Sequence, residues 1–393
     1  MRYGTIIIGG GLSAITAGIA LARRGRRVAV IAAGQPSARF NNGAFHLLGR
    51  FDGQPVESPL DAISSLAGQH PYRLIGQENV EKFAAQAAAI LRTAGVNIVG
   101  SHKRNVNAYS PLGLPEPAWL VRETVLSDHA PLPSRLALLH IKGFIDSPLP
   151  MVAYHLGQNG FQVDTLEIDT PDIAAARRTA AGMRTLALAR TLGGHKALAA
   201  LHAKIREVAD PLPQSVLLVL PALIGIDNSY TAQLFRDNLG RPLAFLPSPP
   251  PSVLGLRLTT ELRHYFQMLG GLYRTNQRVT TAHTANGRVA YITTDARPGM
   301  HLEADNYILA TGTLASGGLV TRDGAVAEPL FNLDLTPDGR VTVDNNLHPS
   351  QQGQTIDNLY AIGDILARDP RAGADREGVA MLTALHAARQ IRP

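Results

Sequence analysis

The sequence predicts an α/β protein: a Rossmann-like domain with a three-layer ββα architecture and an inserted second α/β domain. Three observations predict it. An apolar run from Tyr3 to Ile8, a Gly-rich turn, a helical pattern and a second apolar run form a βαβ unit. Strand and helix patterns alternate through the middle of the chain, and three alternating strands and a final helix come late in it. We therefore expect residues 1–110 and 271–393 to form the Rossmann-like domain and residues 111–270 the inserted domain.

Hydrophobic periodicity predicts the individual elements. Predicted helices cover residues 12–24, 79–94, 149–159, 174–192, 196–208, 253–269 and 377–391. Predicted strands cover residues 3–8, 27–32, 96–100, 136–141, 161–168, 216–220, 272–285, 288–295 and 300–310, the last three antiparallel. Asn286-Gly287 is typical of a type I′ hairpin turn, and Ser252 is expected to cap the helix after a Pro-rich connector. The Pro-rich stretch 109–133 predicts a crossing between the two lobes.

Composition excludes several function classes. The chain has 393 residues, of which 45% are hydrophobic and 17% are charged, a balance typical of a globular enzyme. It contains no Cys, which excludes disulfides, thiolate catalysis and an iron–sulfur cluster held by cysteines of this chain. Any iron–sulfur centre that receives its electrons must belong to another chain.

The net charge of +6 does not predict a nucleic-acid partner, because Lys and Arg are scattered. The densest cluster, Arg23 to Arg27, ends the first predicted helix, where cations are favourable near the negative end of the dipole. No secretory signal is visible. The longest apolar stretch, Val216 to Ile226, is interrupted by Pro221 and is far shorter than the roughly 20 residues of a membrane span. We expect a soluble or peripheral protein without a transmembrane segment of its own.

Gly9, Gly11 and Ala14 match the phosphate-binding pattern G-x-G-x-x-G/A between a strand and a helix. Gly9 permits the sharp turn, Gly11 lets a phosphate approach the backbone, and the helix N-terminus offers free N–H groups to it. The alternative is a plain Gly-rich turn. The acidic residue that usually binds the adenosine ribose is missing: Ala32 holds its place, and Gln35 can supply a neutral acceptor. Without that acceptor, the adenosine half is weakly held or absent from the cofactor.

Two later segments resemble marks of the FAD/NAD(P)-binding flavoproteins that have two dinucleotide-binding domains. The run from Thr355 to Asp364 resembles their C-terminal flavin signature, and the run from Asp305 to Gly312 resembles their strand that ends in Ala-Thr-Gly against the cofactor. The resemblance implies the flavoprotein form of the Rossmann-like fold and a bound flavin. The residues that it places against the flavin are Thr311, Gly312, Gly363 and Asp364.

The whole chain resembles the family of anaerobic glycerol-3-phosphate dehydrogenase B subunits. The most specific stretches are 250–255, 310–320 and 347–356, with 34–35, 40–43 and 52–56 in addition. The resemblance implies FMN as the flavin, whereas Asp364 in the motif pattern is more like an FAD protein. Asn41, Asn42 and Gly43 belong to one of these stretches; the two amides can donate to flavin or phosphate, and both are also ordinary turn residues.

The family resemblance also implies partners and a reaction. It implies a flavin-bearing partner of a catalytic A subunit, docked on a membrane-bound iron–sulfur C subunit. Such a complex oxidises sn-glycerol 3-phosphate to dihydroxyacetone phosphate and passes the electrons towards the respiratory quinone pool. The location that it implies is cytoplasmic, peripheral on the inner face of the cell membrane.

Alcohol oxidation by a flavin needs a base for the hydroxyl proton and, for a phosphorylated substrate, cations for the phosphate. His348, in a loop before the flavin signature, is the leading candidate for the base, and a solvated loop histidine is the alternative. Arg257 and Arg376 are candidate phosphate clamps, since guanidinium pairs with phosphate in bidentate fashion. The alternative for Arg257 is a surface ion pair on an amphipathic helix. His46 is either near the flavin or a packed histidine.

Two other functions remain open. The chain is alternatively a non-catalytic assembly subunit that docks the catalytic and anchor chains, and Ala32 and the charged segment 367–377 favour this function. A stand-alone flavoenzyme that uses NAD(P)H would need a second Gly-rich nucleotide turn, and none follows the strand at 136–141. No metal site is expected, because the spacing of His195 and His202 does not suit a metal pair and both are interpreted as helix-surface residues.

Overall fold

A seven-stranded sheet forms the centre of the computed structural model, which describes residues 2–392. Its strands are, in spatial order, Leu272–Arg274, Val28–Ile31, Arg2–Ile8, Arg297–Leu309, Arg288–Thr294 and Val279–Ala285, with Leu359–Ala361 paired to Arg297–Leu309. The strand Arg2–Ile8 runs parallel to both neighbours, so that Ile6 pairs with Ala29 on one side and Tyr307 on the other. These strands are nearly continuous apolar runs because both of their faces are covered.

Two helices pack side by side against this sheet. The first, Leu12–Ala22, is buried along its whole length, and the last, Arg376–Gln390, is buried over most of its length. Arg24 donates to the Ile391 carbonyl oxygen at 2.8 Å, so the basic turn after the first helix binds the carbonyl end of the last helix. The sequence predicted an interaction with the negative end of the first helix itself, and the structure shows Arg24 bound to the end of the last helix instead.

The inserted segment has a parallel sheet of its own. Its strands are, in spatial order, Gln162–Ile168, Arg135–Ile141, Leu217–Pro221 and Leu243–Leu246. The helix Val253–Met268 then returns to the first lobe, with Leu254 in the hydrophobic cluster of the inserted sheet and Phe266 in that of the central sheet. The Ser252 hydroxyl caps this helix by accepting from the Gly255 N–H at 3.0 Å. The domain boundaries at 110/111 and 270/271 stay a prediction.

The remaining elements are short or connect these layers. The other helices are Pro59–Ala62, Pro71–Ile75, Gln77–Thr93, Leu149–Gln158, Pro171–Ala176, Thr185–Thr191, His195–Ala209 and Ser229–Asp237. Short 3₁₀ turns cover Ser37–Phe40, Ile63–Ser65, Ala181–Met183, Leu314–Ser316 and Gly363–Ile365. The remaining strands are Ala44–Phe45, Arg50–Phe51, Gln54–Pro55, Ile98–Gly100, Val106–Tyr109, Pro115–Ala118, Leu120–Arg122, Val320–Arg322, Ala325–Ala327, Ser350–Gln351, Gln354–Thr355 and Ala372–Gly373. Within residues 2–392, no helix combines the length and the apolar character that crossing a bilayer requires.

The structure corrects two predicted elements. The strand predicted over 272–285 is two strands: Leu272–Arg274 pairs in parallel with Val28–Ile31, and Val279–Ala285 begins the antiparallel hairpins. The helix predicted over 174–192 is interrupted because the chain turns back on itself at Gly182, where a Cβ would lie 2.2 Å from the Ala176 carbonyl oxygen. The hairpin turn at 286–287 is confirmed, since both of its residues have a positive φ, as type I′ requires.

Asn358 joins the antiparallel hairpins to the central sheet, and its removal tests that connection. It is buried, its Oδ1 accepts from the Val289 N–H at 2.7 Å, and its Nδ2 donates to the Val289 carbonyl oxygen at 3.0 Å. Asn358→Ala leaves both backbone groups unpaired, so we expect the free energy of unfolding to fall by about 1–3 kcal/mol in a denaturant titration. Exposed Asn346 is the control, and Asn346→Ala should change it by less than about 0.5 kcal/mol. If both substitutions lowered the free energy of unfolding equally, Asn358 would not be the residue that joins the hairpins to the central sheet.

Candidate cofactor and active site

The Gly-rich turn brings a helix N-terminus close to the backbone of a neighbouring strand. Gly9 has a φ of 114°, and a Cβ there would lie 2.2 Å from the Ala310 carbonyl oxygen, so only glycine fits. Gly11 begins the first helix without a side-chain cap, and the atom nearest to a Cβ there is Ser37 Oγ at 3.8 Å. Ala14 is fully buried in the same helix. The N–H groups of the first turn therefore face open space, as a bound phosphate requires.

A cavity of about 210 Å³ lies beside this turn. Its lining residues include Gly10, Gly11, Gln35, Thr259, Arg263 and Tyr273. Tyr273 closes one side by donating its hydroxyl to the Gly10 carbonyl oxygen at 3.0 Å. Gln35 lines the cavity, whereas Ala32 is buried and offers no carboxylate. Gln35 therefore lies in the wall of a cavity beside the Gly-rich turn, and its role as the neutral acceptor for the adenosine half stays a prediction.

Two further segments contribute glycines with a positive φ near the Gly-rich turn: Gly363 approaches the first helix, and Gly312 follows the strand that Gly9 approaches. Gly363 has a φ of 76°, and a Cβ there would lie 2.8 Å from Ser13 Oγ. Gly312 also has a positive φ, and Ser316 donates to the Thr311 carbonyl oxygen at 2.7 Å. Among the described residues, the buried Thr311 hydroxyl has no hydrogen-bond partner. The orphaned Thr311 hydroxyl, next to the close approach of Gly9 to Ala310, fits a cofactor at this position.

Asp364 lies at the end of this junction and forms two ion pairs. Its carboxylate binds Arg368 and also Arg376, whose Nη2 lies 3.0 Å from Oδ2. Arg368 also forms an ion pair with Asp375, with Nη1 2.7 Å from Oδ1. The Asp364 side chain is 25% exposed, and a carboxylate has about four acceptor positions, so it can still accept a ribityl hydroxyl. The residues of the junction therefore fit a flavin dinucleotide.

The loop of Asn41, Asn42 and Gly43 is closed by its own side chains. Asn41 Oδ1 accepts from the Gly43 N–H at 2.9 Å, and Asn41 Nδ2 donates to the Ala44 carbonyl oxygen at 2.6 Å. Asn42 Oδ1 accepts from the Ala44 N–H at 3.1 Å, and its Nδ2 lies 3.5 Å from Glu116. The structure thus shows both as turn residues, and a contact of this loop with the cofactor stays a prediction.

The candidate catalytic residues do not come together. Arg376 is at the start of the last helix. His348 donates Nδ1–H to the Leu359 carbonyl oxygen at 2.9 Å and packs on Tyr360, with ring centroids 4.3 Å apart. Its loop contacts the other end of the last helix, where His386 lies 2.9 Å from the carbonyl oxygen of Asn345. Ten residues of helix correspond to about 15 Å, so His348 and Arg376 belong to opposite ends of that helix.

Arg257 is buried, which contradicts the alternative of a surface ion pair. It is 2% exposed, and its Nη1 donates to the Ile224 carbonyl oxygen at 3.3 Å. Burial, reinforced by the charge of Arg122, lowers its pKa to about 9. Glu261 binds Arg122 at 2.7 Å and only partly offsets these effects. A role of Arg257 at a substrate phosphate stays a prediction.

Sequence reasoning missed a pair of residues at the start of the last helix. His46 Nδ1 lies 3.0 Å from Glu377 Oε2, and the His46 carbonyl oxygen accepts from the Gly378 N–H at 2.8 Å. His70 likewise pairs with Asp375 in a fully buried contact at 3.2 Å. These contacts join residues that are more than 300 positions apart, so no local pattern could show them. Of the two histidines that were considered as a metal pair, His195 is exposed, as expected, and His202 is half-buried and packs on Phe235.

Comparison with known proteins shows the family of the chain. The model of the FAD binding domain family matches residues 4–376. The B subunit of an anaerobic glycerol-3-phosphate dehydrogenase from Pectobacterium atrosepticum is 34% identical over 100% of this chain and 99% of its own length. The protein of the same name from Yersinia pestis is 33% identical over 100% of this chain and 98% of its own length. The crystal structure of 3-ketosteroid-Δ4-(5α)-dehydrogenase from Rhodococcus jostii RHA1 has 12% identity and a TM-score of 0.39 over 99% of this chain and 96% of that one.

Fold, site and family model together define a flavoprotein of the FAD-binding oxidoreductase class. The predicted α/β fold with an inserted parallel-sheet domain is thereby confirmed. The chain belongs to the family of anaerobic glycerol-3-phosphate dehydrogenase B subunits. The family model indicates FAD, and the expectation of FMN receives no support from it.

The phosphate site can be tested by filling the open space in front of the first helix. Gly11→Leu keeps an allowed backbone conformation, with a φ of −74°, but places a side chain where the phosphate is expected. We expect it to remove bound FAD, measured as flavin absorbance after reconstitution and desalting. Gly157→Leu, at a helical position with open space around it, is the control and should retain the flavin. Full flavin content in Gly11→Leu would show that the phosphate binds elsewhere.

Proposed function

We propose that this chain is the flavin-binding subunit of a quinone-linked dehydrogenase that oxidises sn-glycerol 3-phosphate to dihydroxyacetone phosphate. The observation that supports it most directly is the junction of Gly9, Gly363 and Asp364 at the start of the first helix, with Arg376 bound to Asp364. Family membership supports the choice of reaction, since the relatives are subunits of an enzyme that carries this name.

Different residues of the chain bind different parts of FAD in this proposal. The amides after Gly11 bind the pyrophosphate, Gln35 faces the ribose, and Asp364 accepts from the ribityl chain. The last helix begins at Arg376, which binds Asp364 of the same junction, so the positive end of the helix dipole stabilises negative charge there. Bound FAD supplies the two-electron acceptor for alcohol oxidation.

Arg376 is the proposed ligand of the substrate phosphate. Its side chain is 67% exposed and is held on one side by Asp364, so its outer N–H groups are free for an anion. A guanidinium forms two parallel hydrogen bonds with a phosphate, which fixes the orientation of the substrate as well as binding it. Arg257 is too deeply buried for this role without a movement of the inserted domain.

The proposed partners supply the iron–sulfur ligands that this chain does not contain. It has no Cys, so an iron–sulfur relay between its flavin and a quinone must be held by another chain. We propose as partners an A subunit, which is catalytic together with this chain, and an iron–sulfur, membrane-anchoring C subunit. The complex would then lie on the cytoplasmic, inner face of the cell membrane.

A second candidate function is a non-catalytic assembly subunit. Two observations favour it: Ala32 replaces the acid that would bind the ribose, and two guanidinium groups already bind Asp364. The absorption spectrum of the purified chain separates the two functions, followed by mass analysis of the released cofactor. The enzyme function predicts a flavin spectrum and FAD; a featureless spectrum after reconstitution with FAD and with FMN would support the assembly function instead.

Arg376→Ala tests the phosphate site. Loss of a charge-assisted bidentate contact should raise the KM for sn-glycerol 3-phosphate at least tenfold in the reconstituted complex, with a smaller change in kcat. The control is Arg389→Ala at the opposite end of the same helix, where the guanidinium binds Asn79. If both variants keep the wild-type KM while flavin content is unchanged, Arg376 does not bind the phosphate.

A further inference from the structure

His46 is fixed at the same end of the last helix as the proposed substrate ligand. It follows the short strand Ala44–Phe45, and its carbonyl oxygen accepts from the N–H of Gly378 at 2.8 Å. Gly378 is two residues beyond Arg376, which binds Asp364. His46, Asp364 and Arg376 are therefore held by one helical turn, whereas His348 lies at the opposite end of this helix.

The ring of His46 has a defined orientation. Nδ1 lies 3.0 Å from Glu377 Oε2, and the same oxygen accepts from the backbone N–H of His46 at 3.4 Å. With Nδ1 as the donor, Nε2 is the nitrogen that carries the free lone pair in the neutral ring. Within residues 2–392, Nε2 has no hydrogen-bond partner; Glu116 lies 4.0 Å away, which is a charge contact and not a hydrogen bond. The His46 side chain as a whole is 14% exposed.

The charges around His46 favour a proton on the ring. Burial disfavours the imidazolium, but the hydrogen bond and charge of Glu377, supported by Glu116 and Asp375, outweigh it and raise the pKa of His46. Burial likewise disfavours the Glu377 carboxylate, and its contact with His46 reverses the effect and lowers the pKa of Glu377. The contact of the pair thus favours both the proton on the His46 ring and the negative charge on the Glu377 carboxylate.

We propose that His46 is the base that accepts the hydroxyl proton of the alcohol substrate at Nε2, and that Glu377 is its positioning residue. The inference rests on the proposed function. Oxidation breaks the carbon–hydrogen bond of the alcohol, whose hydride leaves with both electrons to the flavin. It also breaks the oxygen–hydrogen bond, whose proton moves to Nε2, and the ketone remains. Glu116, at the exposed side of the ring, stabilises the imidazolium before the proton passes to solvent.

The test combines kinetics of the reconstituted complex with NMR of isotope-labelled histidine in the isolated chain. His46→Gln should lower kcat by about 100-fold or more, the range of general-base catalysis, and it identifies the His46 signal by its disappearance. Glu377→Gln removes the negative charge that favours the proton. It should therefore lower the pKa of His46 measured by NMR and move the acid limb of the kcat–pH profile to lower pH, both by about one unit. Glu116→Gln, at an exposed position, should shift both in the same direction by less.

Glu81→Gln is the matched control, because it breaks the other histidine–glutamate contact, between His102 and Glu81 at 3.6 Å, outside the site. Glu81→Gln should change neither the pKa of His46 measured by NMR nor the acid limb of the kcat–pH profile. If the NMR pKa of His46 moves in Glu377→Gln and Glu116→Gln while the acid limb stays in place, His46 is not the base, and the proposed function is unaffected. A wild-type complex that binds FAD but does not oxidise sn-glycerol 3-phosphate would overturn both.

Discussion

The close approach of the backbone at Gly9 to the carbonyl of Ala310 determines the rest of this structure. Because no side chain separates them, the first helix begins directly at the edge of the central sheet, and its free N–H groups face open space. The same closeness recurs where Gly363 meets Ser13. Gly9 and Gly363 thus allow an N-terminal and a C-terminal segment to lie close together. The candidate site lies where these segments meet.

Local patterns in the sequence were sufficient for most of the fold. The Gly-rich turn, the hairpin turn at 286–287 and the capped helix Val253–Met268 each depend on residues a few positions apart, and the structure contains all three. The strand Leu272–Arg274 was missed because its alternation continues into the next strand, and only its pairing with Val28–Ile31 separates the two. Strand pairing between segments so far apart in the chain leaves no local signal.

The candidate site was less predictable for the same reason. Gly9, Gly11, Gly363 and Asp364 belong to recognisable patterns, and the structure brings the turn and the signature together. The contacts that surround them are long-range. The sequence does not reveal that Arg368 and Arg376 share one carboxylate, that His46 meets Glu377, or that Arg257 is buried. Both Arg257 and Arg376 were suggested as phosphate ligands because a guanidinium binds phosphate. Only the exposed fraction of each side chain, which the structure provides, distinguishes them.

The helix Val253–Met268 has a mechanical consequence. Its first turn is anchored among the side chains of the inserted sheet, and farther along it supplies Thr259 and Arg263 to the wall of the cavity beside the Gly-rich turn. This helix is packed in one lobe and forms part of the cavity wall in the other, so it connects the two lobes mechanically. We therefore expect a change in how this helix packs against the inserted sheet to alter the shape of the cavity beside the Gly-rich turn.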